Sequence, residues 1–125
     1  MMFKKKFPVF IFEGIEASGK STNIINFIKY LRKEKIDFIR IREPGGSKFS
    51  EKIRKLMLSK KNHLEAKTDL LLIMASRSEN MKKILNKYYN KKVIIIDRFS
   101  DSTLAYQHYG MGISIRIIKQ LNTFV

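Results

Sequence analysis

The run Gly14-Ile15-Glu16-Ala17-Ser18-Gly19-Lys20-Ser21 constrains this chain more than any other feature. It has the form G-x-x-x-x-G-K-[ST]. Glycines at its two ends let the backbone curl so that its amides point inward at phosphate oxygens, and a following helix adds its N-terminal dipole. In that arrangement Lys20 reaches the transferred phosphoryl group and the Ser21 hydroxyl ligates magnesium. The motif needs a strand before it and a helix after it, and the flanking sequence predicts both. Pro8 to Glu13, PVFIFE, reads as a short buried strand. Ile24, Ile25, Phe27, Ile28 and Leu31 recur at helical spacing from Lys20 to about Arg32. The expected nucleotide-binding stretch is Gly14, Ile15, Glu16, Ala17, Ser18, Gly19, Lys20, Ser21 and Thr22.

The same alternation continues along the chain. Phe38 to Arg42, FIRIR, predicts a second strand, and Glu43-Pro44-Gly45-Gly46 a turn, since proline lacks a donor and paired glycines favour special backbone angles. Lys48 to Leu58 predicts a helix. Glu65 to Tyr88 predicts a longer one, deeply buried in part of its apolar run Leu70 to Met74. Lys92 to Asp97, KVIIID, predicts a third strand. Ser102 to Tyr109 and Ser114 to Leu121 predict two more helices. Short apolar strands alternating with helices imply a parallel sheet covered on both faces. The expected fold class is α/β, a three-layer α/β/α arrangement of the phosphate-loop NTPase type, in one domain spanning 1–125. Ligands of such sheets sit beyond the carboxyl ends of the strands. Here those ends are Glu13/Gly14, Arg42/Glu43 and Asp97/Arg98, and the polar motifs coincide with them.

Composition narrows the function classes. The chain of 125 residues has no cysteine, which excludes disulfides, thiolate catalysis and cysteine-based zinc sites and fits a reducing compartment. No apolar run approaches a membrane span, and the basic start MMFKKKF is not followed by a long apolar core, because Glu13 and Gly14 interrupt it. A cytoplasmic protein without a membrane partner is expected. The net charge of +15 would attract anions. Its lysines (among them Lys29, Lys33, Lys52, Lys55, Lys82 and Lys83) are scattered over predicted helix faces with no interleaved stacking aromatics, so no specific nucleic-acid partner is expected.

Other groups at the strand ends carry chemistry. A carboxylate at Asp97 can hold a magnesium-bound water, and a guanidinium at Arg98 can clamp phosphate oxygens, although an ion pair at a strand end has the same sequence. Glu16 opposes an anion unless it points away, pairs with a cation or accepts from a ligand hydroxyl. Arg42 precedes the rigid turn and can meet a second phosphate. Arg77 lies among Met74, Ala75 and Ser76 on a largely buried helix, so it needs a partner, either a ligand or a carboxylate such as Asp69 or Asp101. His63 and His108 have no visible nucleophile or metal partner.

FEGIEASGKST, REPGG, a helix bearing an arginine and DRFSDSTLAYQ, in that order and spacing, resemble bacterial thymidylate kinases from Phe10 to about Gly112. The resemblance implies transfer of the ATP γ-phosphoryl group to dTMP, giving dTDP for dTTP synthesis, with ATP and magnesium as cofactors and a homodimer as a common assembly. It assigns Lys20, Asp97 and Arg98 to catalysis, and Ser21 and Asp97 to the metal. Glu16 would accept from the sugar 3′-hydroxyl. Arg42, Arg77 and Arg98 would face the acceptor nucleotide, with Arg98 on its phosphate and Arg77 near the base. Pro44 and Ile73 would line the base pocket, Ser102 and Thr103 would touch the thymine edge, and Tyr106 would crowd the sugar 2′ position. Two departures stand out. Ile73 occupies a position where the family usually stacks an aromatic ring, and the family chain runs past position 125 into another core strand, an arginine-bearing lid and an adenine-contacting segment. This chain is therefore read as the N-terminal part of such an enzyme, incomplete at its C-terminus and impaired in activity. A phosphate-loop kinase for another nucleotide or nucleoside, and a non-catalytic nucleotide-binding fragment, are the alternatives.

Overall fold

The computed structural model describes residues 7–125; the start of the basic N-terminal segment lies outside them. Three strands form a parallel sheet in the order β1-β3-β2, with β1 at Val9–Phe12, β2 at Phe38–Arg42 and β3 at Val93–Asp97. β3 is paired on both edges and all five of its residues are buried. That is why its sequence is uniformly apolar until Asp97. The registers set Phe12 opposite Asp97 and Arg42 opposite Asp97. The three chains therefore leave the sheet side by side, at Glu13, Arg98 and Glu43.

Helix α1 (Lys20–Lys33) packs on one face of the sheet, where Ile24 and Leu31 meet Val93 and Ile95, with Phe12, Phe27 and Phe38 around them. Ile41, Ile94 and Ile96 form the core on the opposite face, against Ile84, Leu85, Tyr88 and Phe99. A third cluster joins Leu70 and Met74 of α3 (Ala66–Asn80) to Ile113 and to Ile118 of α6 (Ile115–Phe124). Helix α2 (Lys48–Leu58) starts at a cap in which the Ser47 hydroxyl accepts from the Ser50 amide at 3.1 Å.

The predicted bounds of β2 and α2 match the structure, and those of α1 differ by one residue. The predicted helix Glu65–Tyr88 is α3 followed by a π-helical turn at Met81–Leu85 and α4 at Asn86–Tyr88, all with helical backbone angles at the joins. The helix predicted from Ser102 starts earlier, as α5 (Ser100–Thr103), and widens into a π-helical segment at Leu104–Gly110. One burial expectation fails and one holds in part of its run, as expected. β1 is not a buried strand, since Phe10 and Ile11 are 38% and 47% exposed. It pairs only with β3, so among the described residues its outer edge has no neighbour. In the run Leu70 to Met74 only the two ends are buried. They lie one helical turn apart on the inward stripe, while Leu71 faces out.

With Ile95 fully buried between α1 and the sheet, Ile95→Ala is expected to remove about 2–5 kcal/mol of stability. Urea unfolding should show this as a lower midpoint at unchanged slope. A loss below about 1 kcal/mol would mean that α1 does not close over the strand.

Candidate functional site

The phosphate loop emerges from β1 and winds into α1. Gly19 caps α1 in the left-handed region, at φ 82°, a conformation glycine adopts without the usual side-chain penalty. No side chain caps this helix and its first turn has no acid. The first helical bond of the turn runs from the Asn23 amide to the Gly19 carbonyl, so the amides of Lys20, Ser21 and Thr22 precede any intrahelical acceptor. Together with the dipole this is an anion-binding end. Ile15, Glu16, Ala17, Ser18, Gly19, Lys20, Ser21 and Thr22 line a cleft of about 440 Å³ whose remaining wall is Arg98. Gly14 lines an adjoining groove with Glu13, Ile15 and Arg98.

Asp97 ends β3 directly beneath this loop. Its Oδ1 pairs with the Lys20 ammonium, and its Oδ2 accepts from Arg40 Nη2 at 3.3 Å. The next residue, Arg98, has φ 70°, an uncommon backbone state for a side chain of its size. Its amide is tied to the Phe12 carbonyl at 2.9 Å, and its guanidinium lies against Tyr106, with Nη1 3.2 Å from the Tyr106 hydroxyl and 3.5 Å from Ser102 Oγ. Glu13 fixes this corner. Its carboxylate accepts from the amides of Phe99 and Ser102 at 2.8 and 3.2 Å and from the Ser102 hydroxyl. It acts as a charged cap on the start of α5.

A second cleft, about 430 Å³, lies beside the first and shares Glu16 and Arg98 with it. Pro44, Ile73, Arg77, Ser102, Thr103 and Tyr106 line it, as expected from the sequence, and so do Glu43, Arg54, Asp69, Phe99 and Gln107. Arg42 does not. It turns to Glu51 at 3.2 Å on the surface, and Arg54 borders the cleft instead, held to the Pro44 carbonyl at 2.8 Å. The Glu43–Pro44 bond is cis. The turn is locked from α3: Ser76 Oγ accepts from the Gly45 amide, Asn80 donates to the Gly45 carbonyl, and Asn80 accepts from the Ser47 amide. Gly46 has φ 116°, and a Cβ there would stand 2.7 Å from Asn80 Oδ1, so only glycine fits.

Arg77 is buried, and its carboxylate partner is Glu43 rather than Asp69 or Asp101. Its Nε and Nη2 donate to Glu43 Oε2 at 2.8 and 2.6 Å. Nη2 also donates to Thr103 at 2.9 Å, Nη1 donates to Asn122, and the Phe99 ring lies 4.5 Å away. Thr103 donates in turn to the Phe99 carbonyl, so its hydroxyl is engaged on both sides. Burial pushes the Glu43 carboxyl above its ordinary range, and the Arg77 guanidinium only partly opposes this. Asp69 instead accepts from Gln107 Nε2 at 2.8 Å. Two buried oxygens here, Glu43 Oε1 and Gln107 Oε1, have no hydrogen-bond partner.

From the sequence, Glu13 and Glu43 are placed at strand ends but given no role, and Arg40, Arg54, Phe99 and Gln107 are not singled out. Proximity to the strand ends flags Glu13, Glu43 and Phe99, whereas Arg54 on α2 and Gln107 on the π-helical segment carry no such signal. A further cavity of about 480 Å³, lined by Phe7, Phe10, Phe27 and Tyr30 among others, lies at the opposite, amino end of the strands and holds none of these motifs.

Residues 12–125 match the family model of thymidylate kinases. A thymidylate kinase of Kosmotoga olearia is 44% identical over 114 residues, covering 90% of this chain and 55% of that protein. One from Wolbachia pipientis wMel is 43% identical over 118 residues, covering 91% and 59%. The crystal structure of a thymidylate kinase from Ehrlichia chaffeensis superposes with a TM-score of 0.88 at 38% identity, over 97% of this chain and 69% of that one. The chain thus spans little more than half the length of the curated relatives it matches. With the phosphate loop, the parallel sheet and the matched residues in agreement, the chain belongs to the thymidylate kinase family.

Proposed function

We propose that this chain carries the donor and acceptor sites for transfer of the γ-phosphoryl group from ATP to dTMP, giving dTDP and ADP. The observation that carries the reading is that the phosphate-loop cleft and the second cleft meet at Glu16 and Arg98. Two anions bound in adjoining clefts with a shared guanidinium are aligned for in-line transfer. An acceptor phosphate oxygen forms the new P–O bond as the bond to the β–γ bridging oxygen breaks. That acceptor oxygen is already largely ionised near neutrality, so no strong general base is required.

In this reading the amides of the loop and Lys20 hold the donor phosphates, and Arg98 spans both phosphate groups. Glu16 accepts from the sugar hydroxyl. Ser21 and Asp97 suit a magnesium ion that keeps most of its water. Their donors are hard oxygens, and among the described residues no three His, Cys, Asp or Glu side chains gather into a protein-only cage. When bound, that ion would neutralise phosphate charge. Arg77, Pro44, Ile73, Ser102 and Tyr106 surround the acceptor nucleoside, while Thr103 acts through Arg77.

For base selection we infer a part for the unpartnered Gln107 carbonyl, which lies buried at the lining of the cleft and would reach a base after a small side-chain shift. Asp69 holds the amide nitrogen, which leaves Oε1 to accept. A thymine or uracil ring offers a donor at N3, whereas cytosine has an acceptor there, so a buried acceptor in this cleft favours dTMP over dCMP. Ile73 supplies an aliphatic face for the ring.

In a thermal melt, dTMP at a hundred times its dissociation constant should stabilise the chain by about 2.7 kcal/mol, with a smaller effect from dCMP or UMP at equal concentration. Preference for another monophosphate would overturn the thymidylate assignment. Gln107→Leu should weaken dTMP binding roughly tenfold, from the cost of an unpaired ring N–H, and leave ATP binding unchanged. Equal dTMP affinity in this variant would remove Gln107 from base recognition.

A further inference from the structure

Arg40 is a charged group beside Asp97 that the reading above leaves without a role. Strand alternation assigns it to the face of β2 that also carries Phe38, the face that packs on α1. On β3 the corresponding face carries Val93, Ile95 and finally Asp97, and Arg40 stands opposite Ile95 in the register. Its side chain is 39% exposed, whereas that of Asp97 is 12% exposed. An arginine on the core-facing side of a sheet would ordinarily be replaced by an apolar residue. Here it extends from an edge strand past the end of the core and meets Asp97 Oδ2. The two carboxylate oxygens are thus divided between two cations, with Lys20 on Oδ1 and Arg40 on Oδ2.

This division has a consequence when phosphate arrives. If the loop takes ATP as proposed above, the Lys20 ammonium is drawn toward phosphate oxygens and its hold on Asp97 weakens. Arg40 is not part of the loop cleft and has no such competing demand. We propose that Arg40 is a positioning residue that keeps Asp97 oriented and charge-compensated after Lys20 moves to phosphate, and so competes with magnesium for the same carboxylate. This inference rests on the ATP reading of the loop. Two cations serving one carboxylate are antagonistic: each gains less from Asp97 while the other is present, and the coupling is reciprocal. With Arg40 in place the chain should tolerate ATP without metal comparatively well. Without Arg40, the exposed charge of Asp97 repels metal-free ATP, and magnesium recovers more of the lost affinity.

The test is isothermal titration of the 125-residue chain with ATP, in EDTA and in excess magnesium, for the wild type, Arg40→Met and Arg40→Lys. The readout is the ratio of the two dissociation constants, metal-free over magnesium-bound. Arg40→Met is expected to raise this ratio about threefold or more, the scale of a partly exposed ion pair, and Arg40→Lys to leave it near the wild-type value. A change that only loosened the fold would weaken both conditions together and leave the ratio alone. The same ratio in all three proteins would overturn the role of Arg40 while leaving the ATP site standing. No ATP binding by the wild type in either condition would overturn the nucleotide reading and this inference with it. Should Arg40→Met not fold, Arg40→Gln removes the same charge with a polar side chain and is judged by the same ratio.

Discussion

Arg77 reaches the interior from α3, and its guanidinium ties together parts of the chain that no sheet or helix connects. It bonds Glu43 at the end of β2, Thr103 on α5 and Asn122 on α6, and lies over the Phe99 ring. A buried ion pair gains little net stability over an apolar pair of the same volume, but losing one partner strands a charge and costs about 3–5 kcal/mol. The pair therefore fixes geometry more than it adds stability. It holds the cis-proline turn against α3, where Ser76 and Asn80 complete the lock, and it sets the distance between that turn and α5. Both elements line the second cleft.

The sheet supplies the other constraint. Parallel strands in register bring Glu13, Arg98 and Glu43 to one edge, so a single step past each strand delivers a carboxylate, a guanidinium and a second carboxylate. Glu13 is spent on the amides at the start of α5, and Glu43 on Arg77. Arg98 alone remains turned to the clefts. Its left-handed backbone at φ 70° is sustained by bonds on both sides, from its own amide to Phe12 and from the next amide, that of Phe99, to Glu13. Strain at a residue shared by two clefts agrees with the general clustering of such outliers at functional sites.

Much of this was legible in the sequence, for identifiable reasons. The phosphate loop is a local motif whose geometry follows from its own glycines. β2 and α2 are bounded by turn and cap residues, so their limits could be read to the residue. What failed was whatever depends on a distant neighbour. Exposure of β1 depends on which strand lies beside it. The partner of Arg77 lies 34 positions earlier, in a turn where a glutamate before proline looks like surface. Arg42 and Arg40 share one strand face and a similar setting, yet one pairs with α2 and the other with Asp97. The π-helical segment that carries Tyr106 and Gln107 has no signature distinct from an ordinary helix, although such widened turns recur at functional sites.

The net charge of +15 suggests a site of bare cations, but the side chains at the carboxyl edge are already engaged. Arg77 is held by a buried carboxylate, Lys20 and Arg40 share Asp97, Arg42 has Glu51, and Arg54 has a backbone carbonyl. Arg98 has no carboxylate partner, and unlike Arg54, whose neutral carbonyl lies at 2.8 Å, it meets only the hydroxyls of Tyr106 and Ser102 and the Tyr106 ring, at 3.2 Å or more. An incoming phosphate competes with a neutral hydroxyl far more easily than with a carboxylate, because only the carboxylate adds the attraction of an opposite charge. The order of availability is then Arg98 first, Lys20 next at the expense of Asp97, and Arg77 last. On electrostatics alone, Arg98 is the guanidinium here most open to an arriving anion, while Arg77 is a fixed wall of the cleft.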